Sequence, residues 1–128
     1  MKQDKSSKRN MTDLIFVYEP VQEVKEMINF WEVQGYRYQP VCCQQVNTGL
    51  FATAIESQKV GLIASGKDCN NDFHGYFQGL HLVNGKKSGF KGCGEIGRGA
   101  RIYKVSYKQD NVEVKTYIRG VDSQVDNQ

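Results

Sequence analysis

Six consecutive residues, Lys67-Asp68-Cys69-Asn70-Asn71-Asp72, gather most of the polar chemistry that a small site would use. Two carboxylates with two amide oxygens suit a divalent cation. The lysine would instead meet a phosphate as a point charge, and the cysteine could ligate a metal only as an anion. The same letters also spell an Asx-rich turn whose side chains bond nearby backbone. The local chemistry does not choose between these readings.

Other candidate motifs are weaker. Lys86 and Lys87 are candidate phosphate contacts together with Lys67, but Gly85-Lys86-Lys87-Ser88 fails as a phosphate loop because no glycine stands five positions before Gly85. Gly92-Cys93-Gly94-Glu95-Ile96-Gly97 matches Gly-x-Gly-x-x-Gly, yet it runs into a strand pattern where a dinucleotide fingerprint must open a helix. A tight glycine-rich connection is the better reading. His74 and His81 have no adjacent nucleophile or carboxylate pattern and read as ordinary surface or hydrogen-bonded histidines.

The elements that must position these residues are legible from periodicity. Residues 60–64, Val-Gly-Leu-Ile-Ala, are too short and too branched for a helix and read as a buried strand that delivers the polar run at its carboxyl end. Upstream, Leu14-Ile15-Phe16-Val17-Tyr18 reads as another buried strand. A helix is then expected from Glu19-Pro20, with Val21, Val24, Ile28 and Trp31 as its apolar stripe and Gly35 as its stop. Residues 35–46 lack periodicity and form a loop. Asn47 is a candidate cap for a second helix with Leu50, Phe51, Ala54 and Ile55 on one face. Beyond Phe73 the chain turns antiparallel: short strands at residues 76–77 and 80–83, a glycine-rich connection, then a hairpin of residues 100–107 and 112–119.

Composition bounds the whole. Hydrophobic residues make up 39% of the 128 and charged residues 24%, close to globular averages, so one packed domain is expected and wholesale disorder is not. The net charge of +3 lies entirely in residues 1–10, four basic and one acidic, so the body is neutral and nucleic acid is a poor partner for it. Residues 1–12 are expected to be a disordered basic tail, residues 13–120 the domain, and residues 121–128 a frayed polar tail. No apolar run approaches the roughly 18 to 20 residues that span a bilayer, and the polar start has no signal-peptide core. Cys42, Cys43, Cys69 and Cys93 are irregularly spaced, so free thiols in a soluble, intracellular chain are the expectation.

Several segments, in order, resemble the C-terminal half of the calcineurin-like metallophosphoesterases, in particular the purple-acid-phosphatase-like branch. They are Phe16-Val17-Tyr18-Glu19-Pro20, Val46-Asn47-Thr48-Gly49-Leu50-Phe51, Gly66-Lys67-Asp68-Cys69-Asn70-Asn71-Asp72-Phe73, Gly79-Leu80-His81-Leu82-Val83 and Arg98-Gly99-Ala100-Arg101-Ile102. The resemblance covers about residues 14 to 119. It implies an α/β fold: the C-terminal part of a two-sheet sandwich, with two strand–helix units on two parallel strands followed by antiparallel strands.

The departures from the family carry the functional expectation. The family holds two divalent metal ions, with histidines at the positions of Tyr18, Lys67 and Cys69. Lysine is a cation at neutral pH and opposes a metal there; tyrosine and cysteine ligate only as anions, against ordinary pKa values of about 10 and 8.5. The motifs that supply the remaining ligands and the catalytic histidine belong to an N-terminal half without a counterpart in these residues. The resemblance therefore implies an inactive, metal-free remnant acting as a structural or interaction subunit, with a protein partner over the apolar face that the other half would cover. Asp68, Asn70, Asn71 and Asp72 would remain as a residual polar site. Two alternatives stay open: part of a split phosphatase with metal at Cys69 and Asp68, or a metal-free phosphate-binding module using Lys67, Lys86 and Lys87.

Overall fold

A computed structural model describes residues 11–30, 33–90, 93–109, 111–122 and 124–127. The basic residues 1–10 and Trp31 of the expected helical stripe lie outside them. The chain is mixed α/β with two sheets. The larger sheet has the order β1-β3-β5-β4-β2 and contains β1 (Asp13–Val17), β2 (Val33–Gln34), β3 (Val60–Ser65), β4 (His74–Phe77) and β5 (Leu80–Asn84). The smaller one joins β6 (Gly99–Lys108), β7 (Asn111–Gly120) and β8 (Val125–Asp126).

β3 is central and buried along its whole length. It pairs in parallel with β1 on one side and β5 on the other. Three parallel strands are thus present, one more than expected, because β5 serves both as the hairpin partner of β4 and as the parallel partner of β3. The β4–β5 hairpin turns through Gln78 and Gly79, both with positive φ, the geometry that matches the strand twist in a two-residue connection.

Helix α1 (Glu23–Phe30) begins later than Glu19-Pro20 predicts, with Glu23 and Glu26 in its first turn at the positive end of the dipole. The chain then enters β2, so Gly35 (φ 101) turns the chain after a strand and does not end a helix. Helix α2 (Leu50–Ser57) starts after Gly49 in a left-handed conformation with no side-chain cap. Asn47 instead accepts a bond from the Gly49 N–H (2.9 Å) and donates to Glu23 (3.0 Å), tying the two helices' approaches together.

The core lies between this sheet and the two helices. Val21, Val24 and Met27 meet Phe51 and Ala54, with Ile63, Phe73, Phe77, Leu80 and Leu82 beneath them. Each fully buried side chain of this size stabilises the fold by roughly 1.5–3 kcal/mol. A second, thinner layer of Leu62, Ala64 and Val83, flanked by Leu14, Tyr103 and Val114, joins the opposite face to the smaller sheet.

Two further expectations are corrected. β1 was predicted to be buried, but it stands at the sheet edge, with Phe16 61% and Tyr18 72% exposed. The polar residues after Gly120 pair with β7 through β8, and Met11 and Thr12, assigned to the tail, bond to Val112 and Lys59. No helix among the described residues is long and apolar enough to cross a membrane.

Candidate functional site

The parallel strands β1, β3 and β5 end in register at Val17, Ser65 and Asn84. Their loops therefore leave from one end of the sheet, the place where open α/β sheets build sites. Tyr18 and Glu19 follow β1, Lys67 to Asp72 follow β3, and Lys86 and Lys87 follow β5. The backbone knits the loops to one another: the Lys67 N–H donates to the Tyr18 carbonyl (2.9 Å), and the Gly85 N–H to that of Ser65 (2.8 Å).

Within this arrangement the polar run is turned onto its neighbours. Asp68, in a left-handed conformation at φ 73, accepts from the Cys42 N–H (3.0 Å) and the Gln39 amide (3.4 Å). Asn71 accepts from the N–H groups of Tyr38 (3.0 Å) and Gln39 (3.1 Å). Asp72 accepts from the Tyr36 N–H (2.8 Å) and pairs with the Lys86 ammonium at 2.5 Å. Together these bonds hang residues 36–42, a loop with no periodicity of its own, on the end of β3. Asn70 works in the opposite direction, its Oδ1 accepting from Glu95 N–H (2.8 Å) and Ile96 N–H (3.0 Å). Gly94 passes so close beneath it that a Cβ there would fall 2.8 Å from that of Asn70.

Asn84 is the hub that the sequence analysis did not single out. Buried at the end of β5, it donates through Nδ2 to the carbonyls of Asn71 (2.8 Å) and Asp68 (3.3 Å) and accepts from Ser65 Oγ (3.2 Å). Arg101 reaches in from β6: Nε donates to the Asn84 carbonyl (2.9 Å), one terminal nitrogen to Thr116 Oγ1 (3.0 Å) and the other to the Asp72 carbonyl. Burial holds the Arg101 pKa below its usual value, with nearby Tyr103 and Asp72 opposing that shift. The available signals were a lone amide closing the apolar run 80–83 and a charge at an inward position of the β6 alternation.

The lysines and cysteines are also engaged. Lys67 pairs with Glu19 at 2.8 Å beside the Tyr18 ring, and this bond, followed by contact with Cys42, raises its pKa. Lys87 donates to the carbonyls of Cys93 (3.0 Å) and Gly94. Lys67, Lys86 and Lys87 are thus held by three separate acceptor sets. Cys69 and Cys93 form a disulfide, which corrects the expectation of four free thiols; Cys42 and Cys43 remain free. The two bridge partners are 24 residues apart in sequence and meet where the glycine-rich turn docks on the strand end beside Asn70. Among the described residues, no group of three or more His, Cys, Asp or Glu side chains is arranged to hold a metal ion.

No protein family, curated protein or solved structure matches the chain. What the site can do must be read from its own geometry. Its carboxylates and amides act as acceptors for loop backbone, so the chemistry on view is that of positioning.

The histidines lie elsewhere, on the sheet face that meets β7. There a cleft of about 400 Å³ is lined by Leu62, His74, His81, Val83, Val114 and Thr116, among others. Burial, then the charges of Arg101 and His81, push the His74 pKa down to about 4, and burial lowers that of His81. Among the described residues, His74 Nδ1 is buried without a hydrogen-bond partner, and the His81 ring lies edge-on to Tyr76 at 4.9 Å. They are half-buried neutral side chains, where the sequence suggests ordinary surface or hydrogen-bonded ones.

Proposed function

We propose that this chain is a catalytically inactive, metallophosphoesterase-like remnant that serves as a structural or interaction subunit. The observation that carries the reading is the inward commitment of the strand-end loop. Asp68, Asn70, Asn71 and Asp72 each spend their acceptor oxygens on neighbouring loops, where a two-metal hydrolase would aim oxygens at its ions. Of the positions where the family carries histidines, Lys67 is paired with Glu19 and Cys69 is bridged to Cys93. A loop built this way supports a surface better than a reaction.

The partner side of the proposal rests on the β1 edge. Phe16 on β1 and Tyr18 just beyond it stand largely exposed, and the strand's Leu14-Ile15-Phe16-Val17 stretch carries no charge or proline to blunt it. Native purification followed by mass identification tests this: a stable co-purifying partner is expected, and a clean monomer contradicts the subunit role. Metal analysis with a generic phosphate-ester assay tests the rest. Stoichiometric metal with turnover would favour the split phosphatase instead. Phosphate binding without metal that is lost on Lys67→Ala would favour the phosphate-binding module.

A further inference from the structure

The Cys69–Cys93 bridge joins two loops whose other direct ties, among the described residues, are few. Next to it, Asn70 Oδ1 holds the Glu95 and Ile96 N–H groups. Among the described residues, the other bonds of Cys93 and Gly94 run to Lys87 in the same connection between β5 and β6. The sheets do not depend on the bridge for their register. β5 is fixed to β3 and β4 by ladder pairing, β6 to β7 over its whole length, and Arg101 fastens β6 to Asn84 and Asp72. The bridge thus reinforces these few bonds in securing residues 93–96 and leaves the core to other contacts.

We propose that the Cys69–Cys93 disulfide is a redox-operated latch, opened by a dithiol reductant, that releases residues 93–96 from the strand-end loop while both sheets stay folded. One thiolate of the reductant attacks a bridge sulfur, forming a mixed disulfide and expelling the other cysteine as a thiolate that takes a proton from solvent. The second reductant thiol then displaces the remaining sulfur. The bridge gains two electrons and two protons, and the dithiol leaves as its own disulfide. Disulfides persist in oxidising compartments and are reduced in thiol-rich ones, so the latch is closed in the first setting and open in the second. Opening uncovers the Asn70 carboxamide and the buried side chain of Ile96, changing the surface at the carboxyl ends of the parallel strands.

Amide hydrogen exchange on isotope-labelled protein, with and without dithiothreitol, tests the latch alongside thiol titration. The untreated protein should present two titratable thiols, Cys42 and Cys43, and the reduced protein all four. On reduction the Glu95 and Ile96 amides should exchange at least ~10-fold faster while the amides of β3 and β5 keep their protection, the signature of local opening. A Cys69→Ser/Cys93→Ser chain should give the fast exchange without reductant. If that variant fails to fold, reduction and reoxidation of the wild-type sample supply the same comparison. Four thiols before reduction, unchanged exchange at Glu95 and Ile96, or collapse of protection throughout the sheets would each overturn the proposal.

Discussion

The Lys86 ammonium lies 2.5 Å from the Asp72 carboxylate, with side-chain exposures of 8% and 1%. Breaking such a pair from one side strands a charge away from water, whereas replacing both partners with neutral groups removes the problem. Lys86→Met is therefore expected to destabilise the fold by roughly 3 kcal/mol, partly offset by the nearby Arg101 charge. Lys86→Met/Asp72→Asn should recover much of that loss. Urea denaturation of the two variants measures the difference. Equal losses would mean that the pair's charges are not what holds residues 36–42 in place.

Asn84 presents a neutral version of the same dependence. Its Nδ2 group serves the carbonyls of Asn71 and Asp68, and both bonds are buried. Asn84→Asp keeps the shape but sets a carboxylate against two carbonyl oxygens, so a cost of about 3 kcal/mol is expected from lost donors and buried charge. Asn84→Ala, which leaves those carbonyls unpaired without adding charge, should cost less. Thermal unfolding of both should rank them in that order; the reverse ranking would deny the donor role.

Much of this framework was legible in the sequence. The run 60–64 announced a buried strand through its branched side chains, and β3 is that strand. The alternation over residues 112–119 likewise located β7. What escaped were features set by distant parts of the chain. Periodicity cannot say which strand ends at a sheet edge, so the apolar residues 14–18 looked buried although Phe16 and Tyr18 are not. Glu19 looked like a helix-start charge until the sheet brought it to Lys67, 48 residues away. Asx residues read as self-satisfied turns also conceal long-range work: Asn71 reaches Tyr38 N–H across 33 positions. Nor does cysteine spacing reveal the bridge, since its closure follows from the docking of one loop on another.

The two histidines make stability depend on pH. The His74 pKa falls from 6.5 to about 4 in the folded chain, so over that interval the unfolded state takes up a proton that the native state refuses. Stability is fully retained above about pH 6.5 and declines as pH falls toward 4. The full shift corresponds to roughly 3 kcal/mol, reduced to about 1–2 kcal/mol by the solvent that reaches this partly exposed ring. His81 is lowered as well and acts in the same direction. Chemical denaturation of wild type and His74→Gln between pH 7.5 and about 4.5 should show a shallower decline in the variant. Parallel curves would remove His74 as the cause.

The exposed edge offers the most direct test of the subunit reading. Phe16 is 61% exposed and meets Tyr103 of the smaller sheet edge-on, ring centres 5.3 Å apart. Losing that contact should cost only about 0.5–1.5 kcal/mol. A lysine on an edge strand nevertheless obstructs pairing with another chain, because its charge would have to be buried or turned aside. Phe16→Lys is thus expected to leave the melting temperature within several degrees of wild type while abolishing the assembly that the subunit proposal requires. Sedimentation of the natively purified protein should register the loss. A variant that still sediments with the wild-type partner would move the docking surface away from β1.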